Sequence, residues 1–468
     1  MRNADTIVAR ASAAGIGAIA IIRVSGPDAF LFTDTLLDSG SVKSPTRRTS
    51  DLNSHTSHLC TLYDADGAMD EALITLFKDG KSYTGENTVE ISLHGSEYIV
   101  GRVLKAFICI GARLADPGEF TQRAFMHGKL DLAQAEAVAD IIASEHKMAH
   151  NLAFKQLKGG FSSDISQLRD RLLHFTSLIE LELDFAEEDV EFASRKDLRI
   201  LVEKIKAEMD ALCCSFALGN AIKKGFALVL AGRPNAGKST LFNTMLNEDR
   251  AIVSDIAGTT RDAIETQLFM DGMVLRLIDT AGIREANDVI EKEGIARTFA
   301  HVEKSGATLY TIDMVHCSFE DARSDLHSLL SRTSRVWMVC NKKDLANESI
   351  CSQWLELALG LGLPEPWFLS AIDSQEVEAL KNHLQHRFLQ GMEGLADQTI
   401  VTNLRHAKSL EDCGIEMQAV LHGLDSELTG DLLAFHLRRG ISFLSGITGE
   451  IGVDEILGSI FSKFCIGK

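Results

Sequence analysis

One stretch constrains the fold more than any other. Phe226-Ala-Leu-Val-Leu-Ala231 is an unbroken apolar run that passes straight into Gly232-Arg-Pro-Asn-Ala-Gly237-Lys238-Ser239 and the helix-compatible Thr240-Leu-Phe-Asn243. A buried strand, a loop of the form G-x-x-x-x-G-K-[ST] and a helix, in that order, bring main-chain N–H groups together on phosphate oxygens at the helix N-terminus. Lys238 supplies a point charge to the terminal phosphates, and the Ser239 hydroxyl is a magnesium ligand. The chain must therefore contain a mostly parallel sheet with flanking helices.

Further motifs follow at domain-sized spacing. Asp279-Thr280-Ala281-Gly282 ends a second apolar strand, Val274 to Ile278. Asp279 stands where it can hold magnesium through water, and Gly282 where its N–H can meet a γ-phosphate. Between the two, Ser254-Asp255-Ile256-Ala257-Gly258-Thr259-Thr260-Arg261-Asp262 occupies the place of a switch loop. A threonine there reaches the metal only while the γ-phosphate is present. Asn341-Lys342-Lys343-Asp344 follows the strand Arg335 to Cys340. Asp344 can accept from guanine's N1–H and 2-amino group; adenine offers neither donor and would leave the carboxylate unpaired. Ser370-Ala371, behind Trp367-Phe-Leu369, presents a main-chain N–H to the back of the base. Asn235, Ala236, Gly237 and Thr240 complete the set expected to touch a guanine nucleotide. Ile283 stands where a water-orienting glutamine is usual, so other groups must orient water and supply the transition-state charge. Arg284 is either that charge or an exposed switch arginine.

Length and periodicity describe what surrounds this domain. A chain of 468 residues is too long for one core and implies two or three domains. Residues 1–120 read as α+β, with strand-like runs Ile19–Val24 and Val89–Leu93 and a loop-like Ser39–Ser57. From about Lys129 the period becomes helical: Leu130, Ala133, Ala137 and Ile141 share a face. Ile165, Leu168, Leu172, Phe175 and Ile179 share another, and Leu198, Leu201, Ile205, Met209 and Leu212 a third. The acidic run Glu187-Glu-Asp-Val-Glu191 reads as a solvated loop between helices. Helical period returns in 403–424 and 431–461, so residues 223–380 read as an α/β domain inserted into a helical one, residues 121–222 and 381–468.

Composition adds exclusions. Nine cysteines without a Cys-x-x-Cys pair speak against a disulfide framework or a structural zinc site. The net charge of −19 speaks against unspecific nucleic-acid binding. No apolar stretch is long enough to span a membrane and Met1–Arg10 has no secretory look, so a cytoplasmic protein is expected.

The phosphate loop, Asp255-Ile-Ala-Gly-Thr-Thr-Arg-Asp262 and Phe464-Cys-Ile-Gly-Lys468 together resemble the MnmE (TrmE) family of bacterial tRNA-modification GTPases. The likeness extends to Asp5-Thr-Ile-Val-Ala9, Tyr83-Thr-Gly-Glu86, Pro117-Gly-Glu-Phe120 and Leu130-Asp-Leu-Ala-Gln-Ala-Glu136, and so covers the whole chain. It implies a multidomain α/β protein: an N-terminal folate-binding domain that dimerises, a helical domain and an inserted G domain. It implies a flavin-dependent partner, MnmG (GidA), in a heterotetramer. With it, carbon 5 of the wobble uridine of certain tRNAs receives a carboxymethylaminomethyl or aminomethyl group. The one-carbon unit would come from 5,10-methylenetetrahydrofolate, for which 5-formyltetrahydrofolate is an analogue. Potassium would replace an arginine finger, held by Asn235, Ser254, Ile256 and Thr259, while Ser239 and Thr260 would hold magnesium. Arg23, Glu90, Lys129 and Lys468 match the folate positions, and each is also readable as a surface charge. Among residues matched to catalysis, Lys238 and Thr260 lie in the loops above. Glu291 is either a water-orienting acid or one of several surface glutamates, and Cys465 either a required thiol or a buried small residue. A ribosome-assembly GTPase and a folate-dependent scaffold without turnover are the competing readings.

Overall fold

The computed structural model describes residues 5–37, 48–78, 80–184, 194–247, 265–270, 272–279, 306–333, 335–390, 399–450, 460–461, 464 and 467. They divide into two compact units: Met1–Ile142, Phe154–Glu203 and Ile415–Lys468, and Ala143–Ala153 with Lys204–Gly414.

In the first unit β1 (Ile7–Arg10), β2 (Ile19–Ser25), β3 (Ser57–Asp64), β4 (Gly67–Phe77), β5 (Thr88–His94) and β6 (Arg113–Leu114) form one sheet. Its order is β3-β4-β5-β2-β1-β6, antiparallel except where β6 joins β1. The pleat divides the apolar run of β2 between two faces. Ala20, Ile22 and Val24 are fully buried, in one core with residues of α1 (Ala29–Leu37) and α2 (Glu97–Cys109). Ile21 and Arg23 point the other way and are half-buried. Register then sets Arg23 opposite Glu90 of β5.

Helices α3 (Glu119–Met126) and α4 (Leu132–Ile142) follow, and α6 (Gly160–Asp184) packs along α13 (Gly430–Thr448). Ile165, Leu168, Leu172 and Ile179 of α6 are buried; each such side chain stabilises by about 1.5–3 kcal/mol relative to exposure. Helix α4 starts at Leu132, so Leu130 precedes it, while Ala133 and Ala137 are buried. One boundary between the units falls at the end of α4, and the other three fall inside α5 (Lys147–Leu157), α7 (Arg195–Lys224) and α12 (Leu404–Asp425). In the first half of α7 the buried residues are Leu198, Val202, Ile205 and Met209, with Leu201 only half-buried. Two apolar neighbours competed for one seat, and the 4-3-4 spacing of the 3.6-residue repeat selected valine. The acidic run Glu187–Glu191 lies outside the described residues.

The second unit holds β7 (Phe226–Ala231), β8 (Glu265–Met270), β9 (Met273–Asp279), β10 (Ala307–Asp313), β11 (Val336–Asn341) and β12 (Trp367–Phe368) in the order β12-β11-β10-β7-β9-β8. All pairings are parallel save β8 with β9. Every residue of β7 is buried, as a central strand covered on both faces requires. Leu228 and Leu230 share a core with α8 (Lys238–Asn247) and α11 (Ser374–Gln390); Val229 and Ala231 share the opposite one with α9 (Phe319–Leu330) and α10 (Glu348–Gly360). Ile222 and Ile400, from the flanking helical and extended segments, join the first of these cores. The C-terminal ends of β7, β9, β10 and β11 thus converge on one edge, the ligand edge of an open parallel sheet. Among the described residues no helix is long and apolar enough to cross a membrane.

Candidate functional site

The phosphate loop leaves β7 through Gly232, whose φ is +142° and whose missing Cβ would come within 2.2 Å of the Thr311 carbonyl oxygen on β10. The loop can hug the neighbouring strand only because no side chain is there. Asn235 turns at φ +61° and is exposed, and the chain enters α8 through Gly237. A Cβ on Gly237 would lie 2.0 Å from Asn341 Nδ2. Lys238 is buried, with its ammonium donating at 2.7 Å to the carbonyls of Gly232 and Arg233, so the charge is carried at the centre of the loop. Ser239 and Thr240, in the first turn of α8, are exposed beside it.

Arg233 is turned away from the loop. It pairs with Asp325 at 2.7 Å and Asp321 at 2.9 Å on α9, and the Asp325 bond raises its pKa. Tyr310 OH donates to the same Asp325 at 2.7 Å, and burial followed by that carboxylate pushes the phenol up.

Asn341 joins three loops. Its Nδ2 donates to Ala236 O of the phosphate loop at 2.8 Å; its Oδ1 accepts from Ala371 N at 2.9 Å and Lys342 N at 2.7 Å. Thr244 of α8 donates to Ala371 O at 2.8 Å, a fourth link to the same place. Lys342 sits in the left-handed region at φ +64°, which carries its ammonium to 2.6 Å from Asp313 at the end of β10. Burial works to raise the Asp313 carboxyl; the bond from Lys342 and the N–H groups of Val315 and His316 outweigh it and hold it below the usual range. Asp344 accepts from Ser370 Oγ at 2.7 Å. The Ser370 N–H donates to Glu376 Oε2 at 2.6 Å.

Of the residues read from the sequence, the structure therefore brings together Asn235 to Thr240, Asn341, Lys342, Asp344, Ser370 and Ala371. Asp279 ends β9 on the same edge. Ser254 to Thr260, Thr280 to Arg284 and Glu291 lie outside the described residues. Asp313, Arg233 and Glu376 escaped the sequence reading. Asp313 was findable, as an acid ending a buried parallel strand; Glu376 was hidden inside a helix-start pattern.

The first unit contains a second constellation. Arg23 Nη2 lies 2.8 Å from Glu90, its Nη1 reaches Gly467 O at 3.5 Å, and its guanidinium lies over the rings of Tyr83 and Phe120 at 5.2 and 5.5 Å. Lys129 is exposed beside the same Tyr83–Glu86 turn, and a Cβ on Gly85 would come within 3.5 Å of its Cγ. Cys465 and Lys468 lie outside the described residues. In the same unit Arg123 is almost fully buried and meets Asp5 at 2.7 Å, Glu86 at 3.0 Å and Glu119 at 3.0 Å. Arg113 binds Asp5 and Glu119 from the other side at 2.7 and 2.5 Å. Burial pushes the Asp5 and Glu119 carboxyls up, and the two guanidiniums overcome it, so both lie below their ordinary values.

Comparison with known proteins covers both constellations. Residues 6–129 match the model of the GTP-binding protein TrmE N-terminus, and residues 132–465 that of the MnmE helical domain. The tRNA modification GTPase MnmE of Cytophaga hutchinsonii is 45% identical over 466 residues, spanning 100% of this chain and 98% of that protein. Its counterpart in Flavobacterium psychrophilum is 44% identical over 470 residues, 99% of each chain. Among solved structures, the G domain of the T. maritima FeoB iron transporter covers 34% of this chain and 97% of its own, at 25% identity and a TM-score of 0.27.

Proposed function

The chain belongs to the MnmE family, and from that premise we propose that it hydrolyses GTP in the service of tRNA modification, acting on carbon 5 of the wobble uridine together with a flavin-dependent partner. The observation that carries the GTPase part is the triple bond set of Asn341. It fastens the phosphate loop to the Ser370-Ala371 turn, so a nucleotide held by its phosphates has its base delivered to Asp344. Guanine supplies two donors to that carboxylate, where adenine would leave it unpaired.

Magnesium would be held by Ser239 and Thr260, and supplies charge neutralisation between the β- and γ-phosphates. The exposed hydroxyl of Ser239 at the start of α8, next to the Lys238 ammonium, fits such a ligand. Potassium would be held by Asn235, Ser254, Ile256 and Thr259; the outward-facing, left-handed Asn235 in the phosphate loop favours this reading. So does the state of Arg233, whose two ion pairs remove it as an internal source of transition-state charge. An arginine finger is worth on the order of 10³-fold or more. Turnover should therefore be at least about tenfold faster in potassium or rubidium than in sodium chloride at equal ionic strength, and Asn235→Ala should erase the difference. Equal rates in all salts would remove potassium and return attention to Arg284.

The Arg23–Glu90 pair supports a folate site in the first unit, because a pterin offers paired donors to a carboxylate and a glutamate tail offers carboxylates to cations such as Lys129 and Lys468. Calorimetry with 5-formyltetrahydrofolate tests it: Glu90→Ala should abolish binding. The wobble-nucleoside content of tRNA from cells lacking the protein tests the reaction; unmodified carbon 5 is the expected result.

A further inference from the structure

Asp373-Ser-Gln-Glu376 at the start of α11 has the form of a capping box, in which Glu376 would fold back onto the Asp373 N–H. That donor is already taken, since Asp373 N donates to Ser370 O at 2.9 Å. Asp373 caps the helix by itself, accepting from Gln375 N at 2.9 Å and Glu376 N at 3.3 Å. The Glu376 carboxylate reaches outward instead. Its Oε2 accepts from the Ser370 main-chain N–H at 2.6 Å and its Oε1 from Lys343 Nζ at 2.6 Å. Those two donors belong to the two loops that face the base, and Ser370 Oγ in turn bonds Asp344 at 2.7 Å. Lys343, Glu376, Ser370 and Asp344 therefore form a ring that closes through the peptide bond between Lys343 and Asp344.

We propose that Glu376 is a positioning residue for guanine recognition, clamping the Ser370-Ala371 turn to the Asn341–Asp344 loop and so aiming the Asp344 carboxylate. The inference rests on the guanine-nucleotide reading and adds a residue to it. A charge-assisted bond to a main-chain donor fixes Ser370's backbone and hence the direction of its hydroxyl, where a surface ion pair alone would do little. The Glu376 side chain is 29% exposed, shielded enough for the bond to hold and open enough to be replaced without a cavity. Lys343 responds to the clamp: its bond to Glu376 holds the ammonium above the usual lysine range.

The test is the affinity of the full chain for GDP, inosine diphosphate and ADP, with Glu376→Ala, Glu376→Gln and Lys343→Met beside the unaltered protein. Inosine diphosphate lacks the 2-amino group and offers Asp344 one donor. A carboxylate that loses its aim loses the second donor first, so Glu376→Ala should weaken GDP about tenfold and inosine diphosphate only about threefold. Glu376→Gln still accepts from Ser370 and, like Lys343→Met, should fall between. If Glu376→Ala lowers the melting temperature but leaves the GDP-to-inosine diphosphate ratio unchanged, the residue is merely structural and the inference is overturned. Wild-type affinities in all three variants would overturn it as well. An unaltered chain that binds ADP as tightly as GDP would overturn the guanine reading itself, and the inference with it.

Discussion

At the phosphate loop the decisive groups are main-chain atoms and their immediate neighbours: Gly232, Lys238, Ala236 and the side chain of Asn341 that closes on them. Around Arg23 and Arg123 the decisive groups are the side chains of Asp5, Glu86, Glu90 and Glu119 with the main-chain carbonyl of Gly467, segments that only the fold brings together. The first site depends on backbone shape, so nearly every residue type in a short run is dictated. The second depends on long-range register, and its residues are scattered singly. The two should accordingly fail in different ways.

The sharpest break is Arg123→Met. It leaves Asp5 and Glu119 to Arg113 and takes from Glu86 the guanidinium it is paired with, which should cost about 3–5 kcal/mol. All three tryptophans, Trp337, Trp354 and Trp367, lie in the second unit. Far-ultraviolet circular dichroism should therefore show an early transition that tryptophan fluorescence does not follow, with GDP affinity intact. Coincident transitions would mean that the ion network stabilises both units.

Gly237→Ala is the converse experiment. The added methyl group would meet Asn341 Nδ2 at 2.0 Å and must push the bridge open, so GDP binding should fall on the order of a hundredfold, with the first unit's transition unmoved. Asp344→Asn comes next, with roughly tenfold to hundredfold weaker GDP binding and a gain for xanthine nucleotides, whose 2-oxo group accepts from an amide. Unchanged GDP affinity would remove Asp344 from base reading.

Acid is the mildest probe. Asp5 and Glu119 have ordinary values of 3.8 and 4.5 and lie lower in the folded first unit. A depressed carboxylate contributes stability that is present above its unfolded value and lost as pH falls through its folded one. Circular-dichroism melts of the first unit should therefore weaken below about pH 4.5. In Arg123→Met this slope should flatten.

The same contrast explains what could be read from the amino-acid order. The doubly covered sheet was legible because β7 is apolar throughout and runs into a loop that only one architecture tolerates. Arg23 and Glu90 could be named only by likeness to a family, because nothing local says that β2 and β5 pair in the register that joins them. Glu376 stayed hidden for a different reason. Its pattern satisfies a local rule, and a tertiary partner, the Ser370 N–H, outcompeted that rule. In α7 the choice of Val202 over Leu201 was likewise settled by the packing of the whole stripe rather than by either residue alone.

The contact of Arg23 with Gly467 spans 444 positions. At about 5–20 residues per second of synthesis, the ribosome needs roughly 20–90 seconds to travel between them. Once β6 has been made, the β-sheet of the nascent first unit waits without α13 until residue 448, and without the carbonyl that Arg23 will meet until residue 467. The second unit, drawn almost wholly from residues 204–414, has every strand available well before then. The portion begun first is thus completed last, and a chaperone that shelters half-made chains has its longest task at the N-terminal sheet.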